Sequence, residues 1–281
     1  MKSMFTLLPM SQRISLSAGD TYQGSVTVAN PVNAESDFSY KVVVTPYSVV
    51  GENYDADIAN ITTHSQIANW ITIENPTGTL KPNEHAVVNF TINVPESVPA
   101  GGQYATILVS EDDSENANAG FSVSTTLQLA SVIYADVSGE RVQGGTVEEN
   151  NVPSFSFDPN IELTAIIKNE GNTHSDALFD ISITNKFNGE TIATNNNDNK
   201  YSEIIMPETS RYITHRVDNL PVLGLLHVNQ TIYFNDVAYT TEKDLIICPA
   251  WFIFLVLLTV MSAVAFVISR IHHHRKLRKK E

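Results

Sequence analysis

The sequence predicts an all-β protein: two tandem antiparallel β-sandwiches followed by one C-terminal transmembrane α-helix. Three observations carry this. Apolar and polar side chains alternate over many short windows, as along a half-buried strand. Clusters rich in Asn, Pro and Gly separate those windows as turns. Finally, the 24 residues 245–268 hold no ionised side chain, and Arg270, Arg275, Lys276, Arg278, Lys279 and Lys280 follow at once.

The first sandwich is expected over 11–138. Tyr22, Val26 and Val28 share one strand face while Gln23, Ser25 and Thr27 share the other, and Asn30-Pro31 ends the run. Phe38, Tyr40, Val42 and Val44 repeat the period of two, as do Val88, Phe90, Ile92 and Val94, and then Phe121, Val123, Thr125, Leu127 and Leu129. Trp70 and Tyr104 sit in strand-like contexts, where an aromatic side chain either fills a sandwich core or offers a stacking face to a sugar. Glycines and the run Glu148-Glu149-Asn150-Asn151 mark 139–153 as a linker.

The second sandwich is expected over 154–245. Its strands lie at 161–168, 178–184, 211–217, 226–234 and 238–245, with a two-residue hairpin turn at Asn188-Gly189. The polar run 195–199 reads as an exposed loop. A transmembrane helix at 246–269 has Trp251 near one end, where an indole favours the headgroup boundary, and a basic tail follows at 270–281.

The two halves read as copies. A strand ends in Asn30 or Asn169, a Pro turn follows at Pro82 or Pro207, and a strand ends at Pro95 or Pro221. Asn30 to Pro82 is 52 positions and Asn169 to Pro207 is 38, so the first copy carries about 14 extra residues, placed within 49–66. Long loops on rigid scaffolds are where contacts are made. Tyr47, Tyr54, Asp55 and Asp57 are therefore the candidate binding residues, offering aromatic faces and carboxylates. The alternative is an extra hairpin covering a sheet edge.

Charge sets the orientation. The tail from Arg270 holds six of the 17 basic residues and one of the 31 acidic ones, a net of +5. The remainder, with 11 basic and 30 acidic residues, carries −19. Basic residues flanking a span stay in the cytoplasm, so the body is expected outside the cell membrane in a single-pass arrangement. A tail-anchored protein with its bulk in the cytosol is the competing topology. An outward body needs a signal peptide, and MKSMFTLLPM offers one Lys, a broken apolar stretch too short for an h-region and no clear cleavage site, so the native start is expected upstream. A body at −19 repels phosphates and argues against a nucleic-acid partner. The single cysteine, Cys248, allows no intrachain disulfide, which suits a bacterial surface protein.

The opening strand with Asn30-Pro31, the run Gly101-Gly102-Gln103-Tyr104-Ala105-Thr106-Ile107-Leu108-Val109, the later Asn169-Glu170-Gly171-Asn172-Thr173-His174, the single helix and the basic tail resemble the bacterial WxL-interacting type of surface protein. The resemblance implies two Ig-like sandwiches. It further implies peptidoglycan binding by the first and a host or protein ligand for the second. The lipid bilayer is the partner of the helix.

No enzyme signature is present. His64, His85, His174, His215 and His227 have no zinc-ligand spacing, there is no G-x-S-x-G elbow, and no Gly-rich loop precedes a helix. Glu111, Asp112, Asp113 and Glu115 fit no EF-hand and read as a solvated hairpin tip. Neither cofactor nor metal is expected. The reading is a non-enzymatic, membrane-anchored surface protein that binds cell wall or a surface protein. A purely structural component of an envelope assembly is the alternative, and a hidden hydrolase is the least favoured.

Overall fold

The computed structural model describes residues 5–112, 127–195 and 201–278, with only the helical backbone over 272–278. The alternating window 121–126, the carboxylates Asp113 and Glu115, and the tail residues Lys279 and Lys280 lie outside these. The chain forms two compact units. The first comprises Met1–Thr146 together with Lys168–Ser175 and Ile204–Arg211; the second comprises Val147–Ile167, Asp176–Glu203 and Tyr212–Glu281. The stretch 139–153, read as a linker, contains the strand Gly145–Asn151.

In the first unit the period of two becomes two facing sheets. One has the order Thr6–Leu8, Thr21–Ala29, His85–Asn93, Ile71–Ile73. The other runs Ser11–Leu16, Gln128–Val137, Gly101–Glu111, Phe38–Pro46, Thr77–Leu80. Pairing is antiparallel except that Ser11–Leu16 runs parallel to Val132–Val137. Val26, Val28, Phe90 and Ile92 from the first sheet close on Ile107, Val109, Ile133 and Ala135 from the second. Burying such side chains supplies the main favourable term, roughly 1.5–3 kcal/mol each.

Gly24 shows how tightly this core is filled. It pairs across the ladder with Phe90, whose ring lies where a Cβ would stand, 2.4 Å from Cζ. A side chain at position 24 would displace a phenyl ring that is only 1% exposed.

Around the second unit, Gly145–Asn151, Ile161–Asn169 and Thr209–Val217 form a three-stranded sheet. The larger sheet has the order Phe155–Ser156, Val237–Ile247, Gly224–Phe234, Ser175–Asn185, Thr191–Thr194, and Tyr201–Ile205 also pairs with Ser175–Asn185. Leu163, Ile181, Ile183, Leu226, Val228, Leu245 and Ile247 make its core. The run 195–199, read as an exposed loop, is described only at its first residue, 196–199 lying outside the described residues, and there the expectation fails. Asn195, the first residue of the run read as an exposed loop, is buried, donating Nδ2 to Phe179 O at 2.9 Å and accepting from the Ile181 amide. Its amide satisfies a strand's backbone groups, a role that composition alone does not reveal.

Asn30 and Asn169 have matching bonds. Asn30 Nδ2 donates to Ser36 O and Leu80 O, both at 3.0 Å. Asn169 Nδ2 donates to Thr173 O at 2.8 Å and Ile205 O at 3.0 Å, and its Oδ1 accepts from Gly171 N at 2.8 Å. Each asparagine thus ties its strand end both to the following loop and to the residue two before the Pro turn.

Only Cys248 and Pro249 separate Val237–Ile247 from the helix Ala250–Arg278. Residues Ala250–Ile271 are long and apolar enough to cross a membrane, and none of that apolar window is buried. At about 1.5 Å per residue, these 22 residues reach about 33 Å, against ~30 Å of hydrocarbon. Arg270, with its guanidinium 5.6 Å from the Phe266 ring centroid, lies near the end of that window, and the helix backbone continues through Arg275, Lys276 and Arg278.

Candidate binding site

The extra segment of the first copy folds as a small hairpin, Ser48–Val50 with Asp55–Asp57, and then a short 3-10 turn, Gln66–Asn69. Gly51 at φ +69° permits the reversal, and Tyr54 adopts φ 60°. An aromatic residue held left-handed needs surrounding contacts to keep it there. Within the first unit, Tyr54 Oη lies 2.6 Å from Thr209 Oγ1 and accepts from Met206 N at 2.9 Å, and the Arg211 guanidinium sits 4.7 Å from its ring centroid. Burial raises the Tyr54 phenol above its ordinary pKa.

The four candidate residues therefore divide. Tyr54 is committed to internal bonds. Tyr47 is half-buried, its ring edge-on to Tyr134 at 6.5 Å, and burial raises its pKa as well. Asp57 Oδ1 accepts from Ala59 N at 3.0 Å and Asn60 N at 3.1 Å, while its Oδ2 accepts from Asn60 Nδ2 at 2.8 Å. Those bonds, the Asn60 side chain first, hold its carboxyl below the usual range. Asp55 remains, exposed on the hairpin, as the residue that presents a carboxylate outward.

Beneath the hairpin is a cluster the sequence does not reveal. Tyr104, fully buried, packs edge-on against Tyr134 at 5.8 Å and His174 at 5.7 Å. Its hydroxyl accepts from His174 N at 2.9 Å and lies 3.2 Å from Nδ1. Of the two readings for Tyr104, the core one holds, because no face is left for a sugar. Trp70 likewise packs against the core. Gly102 makes room for the phenol, since a Cβ there would lie 1.9 Å from Tyr104 Oη. Burial, the largest cause in both, pushes the Tyr104 phenol far above its usual range and Tyr134 up to about 12. A general base needs the opposite shift, so these phenols are packing groups. His64 Nδ1 lies 3.0 Å from Gly102 O. A carbonyl only accepts, so that nitrogen carries the proton. Thr209, Arg211 and His174 could not be linked to Tyr54 or Tyr104 from the sequence, because more than 60 positions separate them.

A second candidate surface is the outward face of the smaller sheet, where Gln23, Ser25, Glu74, Asn89 and Thr91 line a polar cleft of about 430 Å³. The cleft offers amide, hydroxyl and carboxylate groups. Among the described residues, no three His, Cys, Asp or Glu side chains converge as a metal-binding set.

The fold defines a β-sandwich protein with one helix long and apolar enough to cross a membrane. No family model matches the chain, and no curated protein matches it in sequence. Among solved structures, it is similar to a chain of the chaperone-tip adhesin complex of CFA/I fimbriae biogenesis (14% identity, TM-score 0.42, covering 86% of this chain and 99% of that one). It is also similar to the class 5 fimbriae chaperone CfaA (15%, TM-score 0.41, 85% and 99%) and to the Salmonella enterica SafA pilin in complex with the SafB chaperone (12%, TM-score 0.41, 86% and 96%). Likeness at this level concerns the chain trace and carries no ligand or function with it.

Proposed function

We propose that this chain is a non-enzymatic, membrane-anchored surface protein. On this reading its body lies outside the membrane, its basic tail lies inside, and its first unit binds cell-wall peptidoglycan, as the resemblance to the WxL-interacting type implies. The observation that carries the reading is the junction: a sandwich strand ending at Ile247 enters, after two residues, a helix with an unburied apolar window, and the positive charge is gathered toward the far end of that helix. Six Lys/Arg after Ile268 against a body at −19 favour the outward orientation. Asp55 and the polar cleft at Gln23, Glu74 and Asn89 supply the exposed polar groups that a glycan-peptide would meet.

Protease added to intact cells should remove the body and spare a C-terminal epitope; a protected body overturns the orientation. Detergent-solubilised full chain should co-sediment with insoluble peptidoglycan, and Asp55→Asn with Glu74→Gln should weaken that. A chain that stays in the supernatant overturns the wall-polymer ligand and leaves a surface protein as the partner class.

A further inference from the structure

We infer that the end of the second unit from which the helix departs is an apolar collar that inserts into the headgroup region of the same bilayer. The inference rests on the membrane-spanning reading above.

Register places three loops at this end. Gly224 pairs with Ile247 and Leu225 with Ile246, so the residues preceding Gly224 lie beside the exit point. Asn185 pairs with Leu226 and Lys186 N donates to Leu225 O, which brings the 186–189 hairpin tip there as well. Phe155 and Ser156 run parallel to Ile246 and Ile247, bringing a third loop.

These loops carry large apolar side chains into solvent. Phe187 is 81% exposed, Phe157 60%, Val222 52% and Leu223 50%, and Phe155 meets Phe157 edge-on at 4.8 Å. Of the described phenylalanines outside the helix, these three are the exposed ones; Phe5, Phe90, Phe179 and Phe234 are buried and Phe38 is half-buried. Concentration at one end, beside an exposed Trp251 in the first turn of the helix, is not how scattered surface hydrophobics are distributed. Lipid is the occupant because the junction allows no distance. Two residues span at most about 7 Å, and strand pairing persists to the exit, with Ile246 N donating to Ser154 O and Cys248 N to Ser156 O, each at 3.0 Å. Once the helix spans, the loops are held at the depth where aromatic and aliphatic side chains partition into the headgroup and upper acyl region, about 5–10 Å deep.

The attraction is apolar. The cations at this end are paired, Lys186 with Asp244 and Arg216 with Asp218, and acidic Asp158 and Glu162 stand close to Phe155 around one cleft. A zwitterionic bilayer therefore suffices.

The test uses full chain carrying Cys248→Ser and one environment-sensitive fluorophore, reconstituted in phosphatidylcholine vesicles with nitroxide at the upper acyl chain. The label is placed at Phe157→Cys, Phe187→Cys, Val237→Cys at the far end of the hairpin, or Met261→Cys mid-helix. Blue-shifted, quenched emission at 157, 187 and 261 with unquenched emission at 237 supports the collar. Quenching at 261 with 157 and 187 behaving like 237 overturns the collar and leaves the span standing. Absence of quenching at 261 overturns both.

Discussion

Replacing Asn169 by Ala removes a fully buried amide that serves three backbone groups: the carbonyls of Thr173 and Ile205 and the amide of Gly171. Alanine fills the space poorly and offers none of these bonds. A buried backbone group left without its partner costs about 1–3 kcal/mol, so three such losses with partial relaxation amount to about 4 kcal/mol. Asn30→Ala, with two carbonyls abandoned, should cost about 2–3 kcal/mol by the same reckoning. Asn169→Asp is informative because it keeps the acceptor for Gly171 but turns an oxygen toward two carbonyls; it should be worse than alanine at neutral pH. The assay is thermal unfolding of full chain in detergent micelles, followed by near-ultraviolet circular dichroism of the tyrosines. At roughly 2–4 °C per kcal/mol for a unit of this size, Asn169→Ala should melt about 8–16 °C lower. A midpoint within about 2 °C of the parent would refute the reasoning, since unsatisfied buried groups cannot be that cheap. So would an aspartate variant more stable than the alanine one.

Gly24→Ala should cost about 1–3 kcal/mol by pushing the Phe90 ring off its seat, and combining it with Phe90→Leu should recover part of that loss in a double-mutant cycle followed by urea unfolding. In alkaline titration the Tyr134 phenol, raised from 10.0 to about 12, should ionise last, together with Tyr104, as read by phenolate absorbance. Because the folded pKa is raised, the stability Tyr134 contributes is complete below pH 10 and is lost as pH climbs through about 12; Tyr134→Phe should flatten the alkaline limb over that window.

The fold class was legible because a sandwich writes its period into the chain. Val26 and Val28, Tyr40 and Val42, and Phe90 and Ile92 all fall on the buried face that alternation assigns to them. The helix was legible for the same reason of composition. Strands 145–151 and 128–137 were less so: the first is polar and half-exposed, and the second shows its alternation only beyond the window 121–129. The site was the least legible. Position and residue type singled out Tyr54 and Asp57, but geometry commits one to Thr209 and Met206 and the other to its own turn. Which polar groups are already spoken for depends on partners far along the chain. The buried Asn195 failed the sequence reading for the same reason.

The strand Val237–Ile247 also has a mechanical meaning. On the membrane-anchored reading proposed above, tension between bilayer and body would enter the sandwich at Ile247, at the end of a strand paired along its whole length with Gly224–Phe234, in eleven consecutive register positions from Ile247 to Val237. A pull along that strand loads the ladder in shear, so its hydrogen bonds must yield together; a pull across it would open them one after another. Forced unfolding is governed by the height of such a barrier rather than by equilibrium stability. On that reading, the resistance of the second unit to such a pull comes from the length of one hairpin.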